Sequence, residues 1–145
     1  MKQKIVTQFA RMWPREVFDI FENNRLVVTT LPELASPGVY ILYRDESPYY
    51  IGKAKGRLIS RLHSHSNLST DPYFNFWNYF SFFVVPDPDH VDEVEGILIA
   101  STRTANIAVP KIKQVKLPTS IARVLRNVRR NAVSPPKPRS HEADA

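Results

Sequence analysis

The chain of 145 residues contains no cysteine. Disulfides and thiolate zinc sites are thereby excluded. With only 4 histidines, a structural zinc site also lacks its usual ligands. Long apolar runs are missing too. A stretch such as Phe80 to Val85 falls far short of the roughly 20 residues that cross a bilayer. Residues 1–13 are interrupted by Lys4, Gln8 and Arg11, so they lack the apolar centre of a signal peptide. A cytoplasmic protein without a membrane is expected. Acidic residues run short in one place. Residues 107–145 hold 9 basic against 2 acidic side chains, while residues 1–106 hold 11 against 12. The formal net charge of +6 therefore belongs to the C-terminal segment. Such asymmetry suits attraction to a polyanion, although a solvated basic tail without a partner gives the same count.

What is present reads as one domain with an ordinary apolar content of 43%. Pro14 to Asn23 has a proline suited to a first helical turn, with Val17, Phe18 and Phe21 on one face. Arg25 to Thr30 reads as a short strand, and Pro32 to Pro37 as a turn or a single helical turn. Gly38 to Arg44 alternates as a strand does. Asp45 to Pro48 is turn chemistry, and Tyr49 to Lys53 is the returning strand of a hairpin. Ala54 to Ser66 is helical through Leu58 and Leu62, and Trp77 to Val85 is a strand with aromatics on both faces. Asp89 is placed to cap a helix over 90–103, and Thr119 or Ser120 to cap another over 120–131. The core order β-β-α-β-α predicts an α+β fold, a small three-stranded antiparallel sheet flanked by helices. The expected organisation is an extension over 1–36, a core over 37–109, a basic link and helix over 110–133, and a disordered tail over 134–145.

Several residues carry chemistry. The hydroxyls of Tyr40 and Tyr50 can hydrogen-bond a phosphate or a water, and each is two residues from a glycine, Gly38 or Gly52, that leaves room for close approach. Arg61 and His65 lie one turn apart on a helix, a guanidinium to clamp a phosphoryl group and an imidazole to move protons. Arg57 with His63 is a second register, and Leu62 directly after Arg61 favours the first. Glu95 stands at the edge of an apolar stripe and wants a cation. Asn106 can hold a phosphate, fix a neighbour, or simply end a helix. Lys53 can steer phosphate. Phe74, Phe76, Trp77 and Tyr79 can stack on bases but read mostly as core. Arg123, Arg126 and Arg130 share the polar side of the last helix, away from Ile121, Val124, Leu125 and Val128.

Gly38-Val39-Tyr40, Tyr50-Ile51-Gly52, Arg61, His65, Glu95 and Asn106, in that order, resemble the GIY-YIG nuclease family over about Pro37 to Asn106. One departure is Thr104-Ala105, where the family often carries a proline. The resemblance implies a metal-dependent endonuclease that hydrolyses DNA, with Tyr40, Tyr50, Arg61, His65, Glu95 and Asn106 in the active site. It implies Mg²⁺ or Mn²⁺ on Glu95, one metal rather than two, and a 3′-hydroxyl with a 5′-phosphate as products. Lys53, Arg57, Arg123, Arg126 and Arg130 are the candidate DNA contacts. Tight sequence specificity would call for a homodimer or a recognition partner, as no separate recognition domain stands out. The alternatives are a non-catalytic nucleic-acid-binding module on the same fold, or a basic helix that meets an acidic protein.

Overall fold

Residues 3–73, 76–104, 106 and 112–131 are described in this computed structural model. The chain divides into two units, Met1–Lys113 and Gln114–Ala145. The expected disordered tail over 134–145 lies outside the described residues.

In the first unit the strands are β1 (Gln8–Pro14), β2 (Phe21–Glu22), β3 (Arg25–Leu26), β4 (Gly38–Arg44), β5 (Ser47–Ala54) and β6 (Tyr79–Val84). The helices are α1 (Leu58–Asn67) and α2 (Val91–Ser101). Four strands, not three, form the antiparallel sheet, in the order β1-β6-β4-β5. The added strand is β1, and its alternation is broken by a bulge between Ala10 and Trp13. A bulge puts two residues opposite one, so a strict period of two fails along it. Met12 sits there at φ 54, with its N–H donated to Ser81 Oγ at 3.0 Å.

The helix expected over 14–23 is a single 3-10 stretch, Arg15–Asp19, followed by the β2–β3 hairpin. Asn23 and Asn24 both take positive φ, 51 and 62, and so form the two-residue turn that a hairpin of this twist needs. The strand expected over 25–30 stops at Leu26 and becomes a 3-10 turn, Val27–Thr30. The helix expected from Ala54 begins at Leu58, because β5 continues to Ala54 and the Leu58 N–H is taken by the Ser36 carbonyl at 2.9 Å. The capping role expected of Asp89 belongs to Asp87, whose carboxylate accepts the Asp89 N–H at the 3-10 turn ahead of α2.

The sheet is apolar on both faces. Tyr40, Leu42, Phe80 and Phe82 pack with Leu58 and Leu62 of α1 and with Trp77 and Phe18. Val39, Ile41 and Ile51 pack on the other side with Val85 and Val91 of α2. Burial on both faces accounts for the near-continuous apolar run of β4. Gly38 is required at the seam, since a Cβ there would run into the Phe83 carbonyl and Leu58. Arg15 ties the N-terminal segment down. Its guanidinium donates to the carbonyls of Ser66 at 2.8 Å and Trp77 at 3.2 Å, over the Trp77 ring.

The second unit holds α3 (Thr119–Asn131), with Val124 and Val128 exposed and Arg123, Arg126 and Arg130 exposed beside them. No helix among the described residues is long and apolar enough to cross a membrane.

Candidate active site

Tyr40 on β4 and Tyr50 on β5 point to the same sheet face. They are diagonal neighbours, because Tyr40 pairs with Gly52 and Leu42 with Tyr50, and their rings lie 6.3 Å apart. Gly52 makes room for this. The Tyr40 ring lies directly over it, and a Cβ at position 52 would lie well inside contact distance of the Tyr40 hydroxyl. Tyr40 is wholly buried. Burial, with Tyr50 adding to it, pushes its phenol well above the ordinary tyrosine value, and the nearby Arg61 guanidinium offsets only part of this.

Helix α1 supplies Arg61 and His65 one turn apart, and the first of the two registers is the one that meets the tyrosines. The Tyr40 hydroxyl lies 2.7 Å from His65 Nε2. His65 Nδ1 lies 2.9 Å from Asp71 Oδ1, which also accepts the Tyr73 N–H at 2.8 Å. Three phenol rings surround the imidazole: Tyr40 at 5.5 Å, Tyr50 at 5.8 Å and Tyr73 at 5.6 Å. Tyr73 in turn stacks on Tyr50 at 4.2 Å. His63 is exposed, and Arg57 precedes the helix as its exposed N-cap.

Tyr50 is half-buried. Its phenol is raised by burial first, then by Tyr73, and Glu95 adds to the rise while Arg61 opposes it. Glu95 on α2 is therefore an electrostatic neighbour of Tyr50. Its side chain is 16% exposed and lies 3.7 Å from Lys53 Nζ. Lys53 itself bonds Asp92 Oδ1 at 2.6 Å, and Lys55 bonds Asp92 Oδ2 at 3.0 Å. The Asp92 hydrogen bond, with Glu95 helping, holds the Lys53 ammonium above the ordinary lysine value despite partial burial. Beyond Lys53 an open groove runs past Lys55 and Arg57 to Arg61.

Of the roles open to Asn106, fixing a neighbour is the one its hydrogen bonds serve here. Its Oδ1 accepts the Ile51 N–H at 2.8 Å, and its Nδ2 donates to the Ile51 carbonyl at 2.6 Å. Both ends of the amide are used on the outer edge of β5, with Thr104 Oγ1 also donating to Oδ1 at 2.5 Å. The amide thus mimics one residue of a neighbouring strand and fixes the backbone between Tyr50 and Gly52.

The aromatics divide. Trp77 is buried, Tyr79 is on the margin, and Phe76 is 54% exposed and stacks on Tyr49 at 5.4 Å. Phe74 lies outside the described residues. Two participants were not foreseen from sequence, Asp71 and Tyr73. The only signal for them is a turn-forming Asp71-Pro72 six residues after His65. Asp92 is the counter-ion of two lysines.

No family model matches the chain. The UvrABC system protein C of Thermotoga petrophila is 37% identical over 86 residues, which is 59% of this chain and 13% of that protein. Solved structures of the GIY-YIG N-terminal endonuclease domain of UvrC from Thermotoga maritima are also similar. A point variant bound to the catalytic divalent cation is 30% identical, covering 57% of this chain and 94% of that one, at a TM-score of 0.48. The same domain bound to magnesium is 32% identical, covering 54% of this chain and 90% of that one, at a TM-score of 0.45. The sequence identity over nearly the whole of that small domain carries the relationship, rather than the superposition.

Proposed function

This chain belongs to the GIY-YIG nuclease family, and from that premise we propose that it is a metal-dependent endonuclease hydrolysing DNA phosphodiester bonds. The observation that supports this best is the meeting of Tyr40, Tyr50, Arg61 and His65 on one sheet face, with Glu95 near enough to act on Tyr50. Nucleophilic water, a phosphate clamp and a cation site need those groups within reach of one another.

The residues fit a hard, well-hydrated cation. No group of three His, Cys, Asp or Glu side chains that could hold a metal stands among the described residues. Glu95 offers one partly desolvated carboxylate instead. Magnesium suits such a site, because it keeps several waters and takes substrate phosphate as a ligand. Glu95 would hold it, and when bound it polarises the phosphate and neutralises the leaving oxygen.

The chain's own groups do the rest. Arg61 clamps the phosphate oxygens and stabilises the charge that develops on them. Tyr40 stays a phenol at neutral pH, so it serves by exchange. Its oxygen takes a proton from the attacking water as its own proton passes to His65 Nε2. Reaching that oxygen requires the exposed Arg61 side chain, which lies beside it, to swing onto the phosphate. Tyr50, half open, donates a hydrogen bond to the phosphate. Water oxygen bonds to phosphorus as the bond to the 3′ oxygen breaks, and the leaving oxygen takes a proton from solvent, giving a 3′-hydroxyl and a 5′-phosphate. Asn106 acts through the Ile51 backbone and so positions Tyr50. Lys53, Arg57 and the arginines of α3 attract the DNA backbone. The nuclease core is 37–109 and the basic segment 110–133, in a protein of the cytoplasm.

A second reading is a DNA-binding module without catalysis, and the Lys53 ammonium lying against Glu95 favours it. Incubating the protein with supercoiled, branched and single-stranded DNA, with Mg²⁺ and with EDTA, separates the two. Metal-dependent cleavage supports the enzyme, and binding without cleavage supports the module.

A further inference from the structure

We infer that Asp71 is a positioning residue that sets the tautomer and orientation of His65, so that His65 draws a proton through Tyr40. The inference rests on the nuclease reading for its kinetic consequence, but not for its structural one.

The hydrogen-bond inventory forces the arrangement. Asp71 Oδ1 accepts the Tyr73 backbone N–H and lies 2.9 Å from His65 Nδ1. An ionised carboxylate has no proton to give, so Nδ1 carries the hydrogen and donates it. Neutral His65 then has its lone pair on Nε2, which lies 2.7 Å from the Tyr40 hydroxyl. Tyr40 donates to it, and a lone pair of the phenol oxygen is left for a proton from water. When the Tyr40 proton moves to Nε2, the new imidazolium faces the Asp71 carboxylate on its far side. The transfer leaves Tyr40 neutral throughout, because it gains one proton as it loses one, and the proton ends on His65. After the products leave it returns to solvent. The logic is that of an oriented imidazole in which a buried carboxylate holds the ring and steadies its cation.

The pair is built for this. His65 is 7% exposed, and the Asp71 side chain is 11% exposed. The groups that face the imidazole among the described residues are Tyr40 from β4, Tyr50 from β5, and Tyr73 and Asp71 from the connection to β6. Asp71 is the carboxylate among them. The bond to the Tyr73 N–H locks the carboxylate in place, and Trp77 Nε1 donates to the His65 carbonyl at 3.2 Å to hold the other end.

The test uses the full chain. Long-range ¹⁵N NMR on the wild type should find His65 as the Nδ1–H tautomer at high pH. Asp71→Asn keeps an oxygen for both hydrogen bonds and removes only the charge. Single-turnover cleavage by this variant should fall about tenfold to a hundredfold at its plateau, with KM unchanged. A residue that merely packs would lower the melting temperature and leave the single-turnover rate of the folded variant unchanged. An Nε2–H tautomer in the wild type overturns the inference. So does a variant with the wild-type plateau. A wild type that cleaves none of the DNA substrates defeats the nuclease reading instead, and the tautomer measurement then decides the role of Asp71 alone.

Discussion

Gly52→Ala should disable the enzyme through one methyl group. The Tyr40 ring lies over Gly52, and the added Cβ would fall well inside contact distance of its hydroxyl and terminal ring carbon, with Cε2 only 2.7 Å away. Something must move by about 1 Å to restore contact distance. Tyr40 has no solvent to tilt into, being fully buried between α1 and the sheet. The part that gives is the 2.7 Å bond from its hydroxyl to His65 Nε2. Overpacking of this kind costs about 1–3 kcal/mol of stability. A misplacement of about 1 Å at the reacting groups costs on the order of 100-fold in rate. Gly56→Ala is the internal control, since a Cβ there meets nothing within 4 Å. Plasmid nicking in single-turnover mode, beside thermal melting, should find Gly56→Ala near wild type. Gly52→Ala should be folded, less stable and slower by about two orders of magnitude. A Gly52→Ala protein that cleaves at the wild-type rate would refute the claim that the glycine exists to seat Tyr40 against His65.

Arg61→Ala should lose about 2.7–4 kcal/mol of transition-state stabilisation, as for one preorganised donor, while Arg57→Ala changes kcat little; comparing the two rates checks which arginine meets the tyrosines. Glu95→Gln should abolish Mg²⁺-dependent cleavage and leave DNA affinity nearly intact, measured by nicking and by fluorescence anisotropy. Asn106→Ala should lower stability by about 1–3 kcal/mol, because it leaves the Ile51 N–H and C=O without their partner on a buried residue; unchanged melting would deny its role as an edge staple. Deleting 118–145 should reduce the salt slope of DNA binding by about 0.9 for each phosphate that the shortened protein no longer neutralises, and an unchanged slope would remove α3 from the DNA interface.

The hairpin and the two helices were legible because their signals are local. β4 alternates between two buried faces, and α1 and α2 carry apolar residues at helical spacing. The N-terminal segment was not legible, for two physical reasons. The bulge at Ala10 to Trp13 destroys the period of two in β1. Pro14 does open a helical turn, but Asn23 and Asn24 then adopt left-handed conformations and turn the chain into a hairpin. A helix signal at one end therefore yields a single 3-10 stretch. Within the site, Tyr40, Arg61 and His65 could be set on shared faces from spacing alone. Asp71 could not, since its partner is a side chain on the preceding helix and its own stretch reads only as a turn.

Asn106 shows how a residue marked by its order along the chain can serve a site through the backbone. Order along the chain marks it, and an amide near a phosphodiester invites the idea of a phosphate contact. Yet β5 is an edge strand, and Ile51 turns its N–H and C=O outward, away from β4. Those two groups must be satisfied on a residue with no solvent exposure. A side-chain amide carries its acceptor and its donor on two separate atoms of one planar group, as a peptide of a neighbouring strand would. The same edge strand carries Tyr50 toward His65, Gly52 beneath Tyr40, and Lys53 against Glu95. Fixing one residue at its centre therefore fixes three functional positions at once, without touching any of the reacting groups.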